Sequence, residues 1–167
     1  NNKNFLILIL FLFVTSFISL KTLKNVYVKD IKISGSKLFS KNDLVNNSSL
    51  RLPTRLLFIK TNFLEKELKQ NLSLKNISVS RQIFPFGLNF HIQTRTPIAY
   101  GEKIFNEKRV LGFIDKDGIF IYKKNVNEKN LGNLTIEVVG WQEKFKKLLS
   151  KIFIAQNNYE FELVKII

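Results

Sequence analysis

The stretch "NISVSRQIFPFGLNFHIQTRTPIAYGE", residues 76–102, decides the fold. Ile77 and Val79 alternate with Ser78 and Ser80, and Leu88, Phe90 and Ile92 alternate with Asn89, His91 and Gln93. Apolar and polar residues at a period of two mark half-buried strands, so this stretch predicts two strands joined by a turn. Pro85 and Gly87 shape that turn, and Pro97 marks the exit from the second strand. His91, the single histidine of the chain, falls on the outer face beside Asn89 and Gln93, where a solvated role is expected. Arg81 and Arg95 flank the hairpin and are the candidate partner contacts at its surface.

Upstream, "VKDIKISGSKLF" sets Ile31 and Ile33 against Asp30, Lys32 and Ser34 and turns at Gly35, as a first strand would. In "SKNDLVNN", Ser40 can cap a short helix, with Asp43 at the reciprocal capping position or simply favouring the helix N-terminus by its charge. "SSLRLPTRLLFI" reads as a loop around Pro53 leading into apolar packing. A second helix follows in "TNFLEKELKQNL", capped by Thr61 or Asn62 and buried along Leu64, Leu68 and Leu72. Glu65 and Glu67 alternate with lysines there and read as solvated charge.

Before the first strand, "FLILILFLFVTSFISL" from Phe5 to Leu20 carries no charge and lies between Lys3 and Lys21. At about 1.5 Å per residue a helix of this length comes close to a hydrocarbon core of about 30 Å. With no small-residue cleavage site before Lys24, a retained membrane anchor over residues 1–22 is favoured over a signal peptide. The lysines that follow, Lys21, Lys24 and Lys29, taken alone favour a cytoplasmic body.

Downstream, "GFIDKDGIFIY" is a hairpin turning at Lys116, Asp117 and Gly118, where Gly tolerates positive φ. Asp115 and Asp117 mimic the start of a calcium loop, but Ile119 holds a ligand position and Gly118 comes too early, so no metal is expected. "NLGNLTIEVVG" suggests another strand. The span Gln142 to Ala155 reads as an amphipathic helix, with Phe145, Leu148, Leu149, Ile152 and Phe153 packing on a sheet and its lysines in water. "NYEFELVKII" at the C-terminus alternates as a strand.

This order of strand, helix, helix, strand, strand resembles a POTRA domain. The opening "VKDIKISGSKLFSKNDL" and the segment "LSLKNISVSRQIFPFGLNFHIQTRTPIAYGE" resemble the FtsQ/DivIB family of bacterial cell-division proteins, with Arg81, Pro85, Leu88, Arg95, Pro97 and Ala99 matching its pattern. Two positions depart from it. Phe84 stands where the family usually has Trp, and Thr94 where an acid normally precedes the Arg, which puts in doubt a salt bridge that acid would have made. The expected class is α+β: a single transmembrane helix (1–22), a β-α-α-β-β POTRA domain (26–95), then a mixed β-domain with one amphipathic helix (96–167), truncated so that the chain is a fragment at both ends.

The resemblance implies a non-enzymatic scaffold of the divisome. It would be single-pass in the bacterial plasma membrane with its bulk outside the cytoplasm, at the division septum. Its implied partners are FtsB/FtsL-type proteins and septal peptidoglycan synthesis enzymes. The rival reading is a POTRA-bearing component of outer-membrane protein assembly or secretion that receives client strands.

Composition agrees with a non-enzyme. Among 167 residues there is no Cys and one His, so a thiolate site is excluded and a nucleophile would have little choice of base. The 7 glycines form no phosphate loop, and no cofactor is expected. A net charge of +14 invites a nucleic-acid reading, but the lysines are scattered and form no dense patch, so no nucleic acid is expected as a partner.

Overall fold

A helix with no charged residue between Lys3 and Lys21 begins the chain: α1 spans Asn2–Thr22. The structure is a computed structural model and describes residues 2–126, 131–158 and 164–167. The 19 residues Lys3–Lys21 are long and apolar enough to cross a membrane, and none of them is buried within the chain.

The first unit joins α1 to a three-stranded sheet and its helices. Immediately after α1, β1 (Asn25–Val26) pairs antiparallel with β3 (Thr54–Arg55), so the loop expected around Pro53 contains a short strand. Residues Val28–Asp30, expected to begin the first strand, instead form a 3-10 turn closed by the Asp30 carboxylate accepting from the Tyr27 amide at 2.9 Å. β2 (Ile31–Ser34) then runs parallel to β5 (Phe86–Gln93), which also bonds β4 (Asn76–Ile83), giving the order β2-β5-β4. Ile31 faces Leu88 and Ile33 faces Phe90 across the parallel pair, which aligns the two apolar faces.

Two helices complete the motif. α2 (Lys41–Asn46) opens with the expected capping box, in which Ser40 accepts from the Asp43 amide and the Asp43 carboxylate takes the Ser40 amide at 2.7 Å. α3 (Thr61–Asn71) starts one residue earlier than its expected caps: the Lys60 carbonyl accepts from Phe63 and Leu64, so Thr61 is already helical. Leu64, Leu68 and Leu72 are buried, as are Ile77, Val79, Leu88, Phe90 and Ile92 of the two long strands. His91 is exposed and meets the Ser34 hydroxyl at 3.1 Å.

The second unit is built on β6 (Pro97–Phe105), β7 (Lys108–Asp115), β8 (Phe120–Tyr122), β9 (Ile136–Val138) and β10 (Lys165–Ile166) in the order β10-β9-β6-β7-β8. β6, β7 and β8 form an antiparallel meander, whereas β9 runs parallel to both β6 and β10, so the sheet is mixed. The β6–β7 hairpin, which the sequence did not announce, turns at Asn106 and Glu107 with φ of 49° and 61°. Two positive φ values are what a type I′ turn requires; Asn suits the first, but Glu at the second hides the signal.

α4 (Lys146–Asn158) follows a 3-10 turn at Glu143–Phe145. Its Leu149 and Phe153 join Ala99, Ile114, Phe120, Ile136 and Val138 in one core. Phe145 and Leu148 stay exposed, so the expected apolar stripe is only partly covered. Of the expected C-terminal strand, residues 159–163 lie outside the described residues.

Candidate functional site

Several polar side chains of this protein are committed to partners within the chain, and Arg95 is the clearest case. Its guanidinium meets the Asp115 carboxylate at 2.5 Å and that of Asp117 at 3.2 Å, with only 8% of the Arg95 side chain and 4% of the Asp115 side chain exposed. The surface position expected for Arg95 is therefore corrected. Twenty residues downstream, the hairpin acids supply the partner that Thr94 cannot.

Asp115 serves two groups at once. One of its oxygens takes the guanidinium, while the other accepts from the amides of Asp117 and Ile119 at 3.0 and 2.9 Å. Gly118 completes the turn with φ +74°, its amide donating to the Asp115 carbonyl. A side chain there would stand 2.2 Å from the Lys146 carbonyl, and the Gly118 carbonyl accepts from the Trp141 indole at 2.9 Å. Beside the pair is a cavity of about 310 Å³ lined by Lys75, Gln93, Thr96 and Lys116 among others. The Nε of Arg95 is buried without a hydrogen-bond partner, so one donor of the guanidinium is left over. A carboxylate that takes two amides and an arginine, three of its about four acceptor sites, holds a turn in place.

Arg81 is also committed internally. Its residue is exposed, but Nε and a terminal nitrogen both donate to the Ile59 carbonyl, at 3.1 and 2.7 Å. Of the remaining expected turn residues, Gly35 and Gly87 have φ of +86° and +142°, and added side chains would strike the Ile92 and Asp30 carbonyls. Pro85 follows Phe84 through a cis peptide at the hairpin tip, and Pro97 opens β6 at a register shift.

Two roles escaped the sequence reading. Glu65 and Glu67, read as solvated charge, each accept a backbone amide: Glu65 from Val79 at 2.7 Å, Glu67 from Ser49 at 2.7 Å. Val79 lies on β4, an edge of the three-stranded sheet, so Glu65 occupies a donor that an added strand would use. Lys103 places Nζ 4.6 Å from the Phe120 ring, 4.3 Å from Tyr122 and 5.6 Å from Trp141, and donates to the Tyr122 hydroxyl at 2.9 Å. No local pattern reveals that aromatic box, because its walls come from residues 17 to 38 positions away.

Besides its charged side chains, the second unit turns backbone edge and apolar surface outward. In the five-stranded sheet β8 and β10 are outermost, and the β6–β7 hairpin exposes Ile104, Phe105 and Leu111. Among the described residues no group of three or more His, Asp or Glu side chains could hold a metal ion.

An apolar N-terminal helix followed by strand, two helices and a hairpin whose third strand pairs parallel with the first defines a POTRA-bearing α+β protein. The family model for the FtsQ-type POTRA domain matches residues 26–95. The chain is also similar to the cell division protein DivIB of Clostridium acetobutylicum, 26% identical over 108 residues that cover 62% of this chain and 40% of that protein. Together these findings give the chain an FtsQ-type POTRA domain and a likeness to DivIB. The chain spans well under half the length of the curated relative it matches.

Proposed function

We propose that this chain is a non-enzymatic, bitopic scaffold of the bacterial division machinery. α1 holds it in the plasma membrane, its body stands on the outer side, and it gathers FtsB/FtsL-type division proteins, and through them septal peptidoglycan synthesis enzymes, at the forming septum. The observation that carries this reading is an FtsQ-type POTRA match that starts at residue 26, four positions after a helix long and apolar enough to span a bilayer ends at Thr22.

The mechanism is strand addition. A partner strand laid along a sheet edge gains main-chain hydrogen bonds, each contributing about 0.5–1.5 kcal/mol net, and asks little of side chains. In support, the side chains most suspected of chemistry are tied to this chain's own backbone or to each other. With Val79 on β4 already bonded to Glu65, the five-stranded sheet is the better acceptor, and its β10 side is the proposed edge.

A fluorescent fusion of the gene product in dividing bacteria tests this. A band at midcell that appears with constriction is the expected result. A uniform envelope signal contradicts it and favours the assembly or secretion reading.

A further inference from the structure

We infer that the face of the POTRA domain around the exit of α1 is itself a membrane-contacting surface that inserts aromatic side chains at the lipid interface and pairs basic ones with anionic headgroups. This rests on the reading of α1 as a membrane anchor. Two separate segments are fastened to that exit. The first is the β4–β5 hairpin tip: the Phe84 ring stacks on Phe17 of α1 at 5.8 Å and 12°, with Lys21 Nζ 5.5 Å from the same ring. Phe17 lies four residues inside Lys21, about 6 Å along the helix at 1.5 Å per residue. If the 19-residue span fills a hydrocarbon core of about 30 Å, that turn sits at its boundary and takes Phe84 with it. Phe84 is 71% exposed within the chain, an odd place for a phenyl ring in water and a favourable one among headgroups and upper acyl chains.

The second segment is the stretch after β3. Asn25 and Val26 pair with Arg55 and Thr54, and the Leu56 amide donates to the Lys24 carbonyl at 3.2 Å. Lys24 is two residues beyond α1, at most about 7 Å of extended chain from Thr22, so Leu57 and Phe58 are held close to the same plane. Both are exposed, Phe58 by 64%. Arg55 lies 6.0 Å from the Phe58 ring, and Arg51, Lys60 and Phe63 continue the surface along a groove of about 370 Å³. Lys24 adds a cation 5.3 Å from Phe86. Exposed aromatics interleaved with Lys and Arg are the chemistry of an interfacial surface that prefers anionic lipid. The bilayer is the fitting occupant because the anchor brings it to this face.

The absence of cysteine makes the test direct. Single variants Leu10→Cys, Phe58→Cys, Phe84→Cys and Lys66→Cys of the full chain are labelled with an environment-sensitive fluorophore and placed in phosphatidylcholine/phosphatidylglycerol vesicles carrying shallow or deep nitroxide lipids. Lys66 is an exposed position on α3 and serves as the aqueous reference. Labels at 58 and 84 are expected to be quenched by the shallow nitroxide about threefold more than the label at 66, and the signal at 58 to fall when phosphatidylglycerol is omitted. The label at 10 is expected to report the deep nitroxide. Quenching at either 58 or 84 no greater than at 66, with the label at 10 still deep, overturns the surface and leaves the anchor standing. A label at 10 that no nitroxide reaches overturns the anchor, and this inference with it.

Discussion

The two sheets of this protein treat their charged residues in opposite ways. In the three-stranded sheet the acids and arginines work at the rim: Glu65 takes an edge amide of β4 and Arg81 reaches back to the Ile59 carbonyl. In the five-stranded sheet the best-covered charges lie inside, where Arg95 and Asp115 pair almost without solvent and Lys103 lies against three aromatic rings, while Arg109–Glu102 and Lys165–Glu137 pair nearer the surface. The first arrangement closes an edge. The second fixes a turn and leaves the outer strands, β8 and β10, to meet other surfaces.

The comparison breaks most severely at Asp115. Asp115→Ala removes the closer of the two carboxylates on Arg95 and two turn hydrogen bonds together, leaving the guanidinium only the half-exposed Asp117, a loss of up to about 3–5 kcal/mol. Urea unfolding followed through Trp141, the chain's one tryptophan and a neighbour of this turn, checks it: a clearly lower midpoint is expected. A midpoint unchanged from the parent protein would mean that the interior pair contributes nothing and the contrast between the sheets is superficial.

A smaller change sharpens the other half. Glu65→Ala frees the Val79 amide and loses a hydrogen bond to a charged acceptor, about 1.5–3 kcal/mol before water replaces part of it. Amide exchange at Val79 is expected to accelerate about tenfold or more, with little change at Phe90 in the centre of the sheet. Equal rates at Val79 in both proteins would show that the carboxylate does not close the edge.

Features legible in the sequence were those set by neighbours along the chain. The Ser40/Asp43 capping box, the Leu64, Leu68 and Leu72 stripe and the alternation from Ile77 to Ile92 all rest on spacings of two to four residues, and they took the expected form. Long-range choices were not legible. Arg95 was placed at the surface because its acids lie 20 and 22 positions away, and Glu65 looked solvated because Val79 is 14 positions off. Parallel pairing of β9 with β6 leaves no local mark, since register is set by what each face buries and not by a turn. On α4 the helical period was readable, but only tertiary packing decides that Leu149 is covered while Leu148 is not.

The central proposal is that partner strands meet the β10 edge of the five-stranded sheet and not the β4 edge of the three-stranded one. Site-specific photo-cross-linking in dividing bacteria tests it, with the photoreactive amino acid placed at exposed Lys165 on β10 or at exposed Ser80 on β4 of the complete gene product. The account predicts a discrete cross-linked species from Lys165 and none from Ser80. Adducts from Ser80 with none from Lys165 would contradict it.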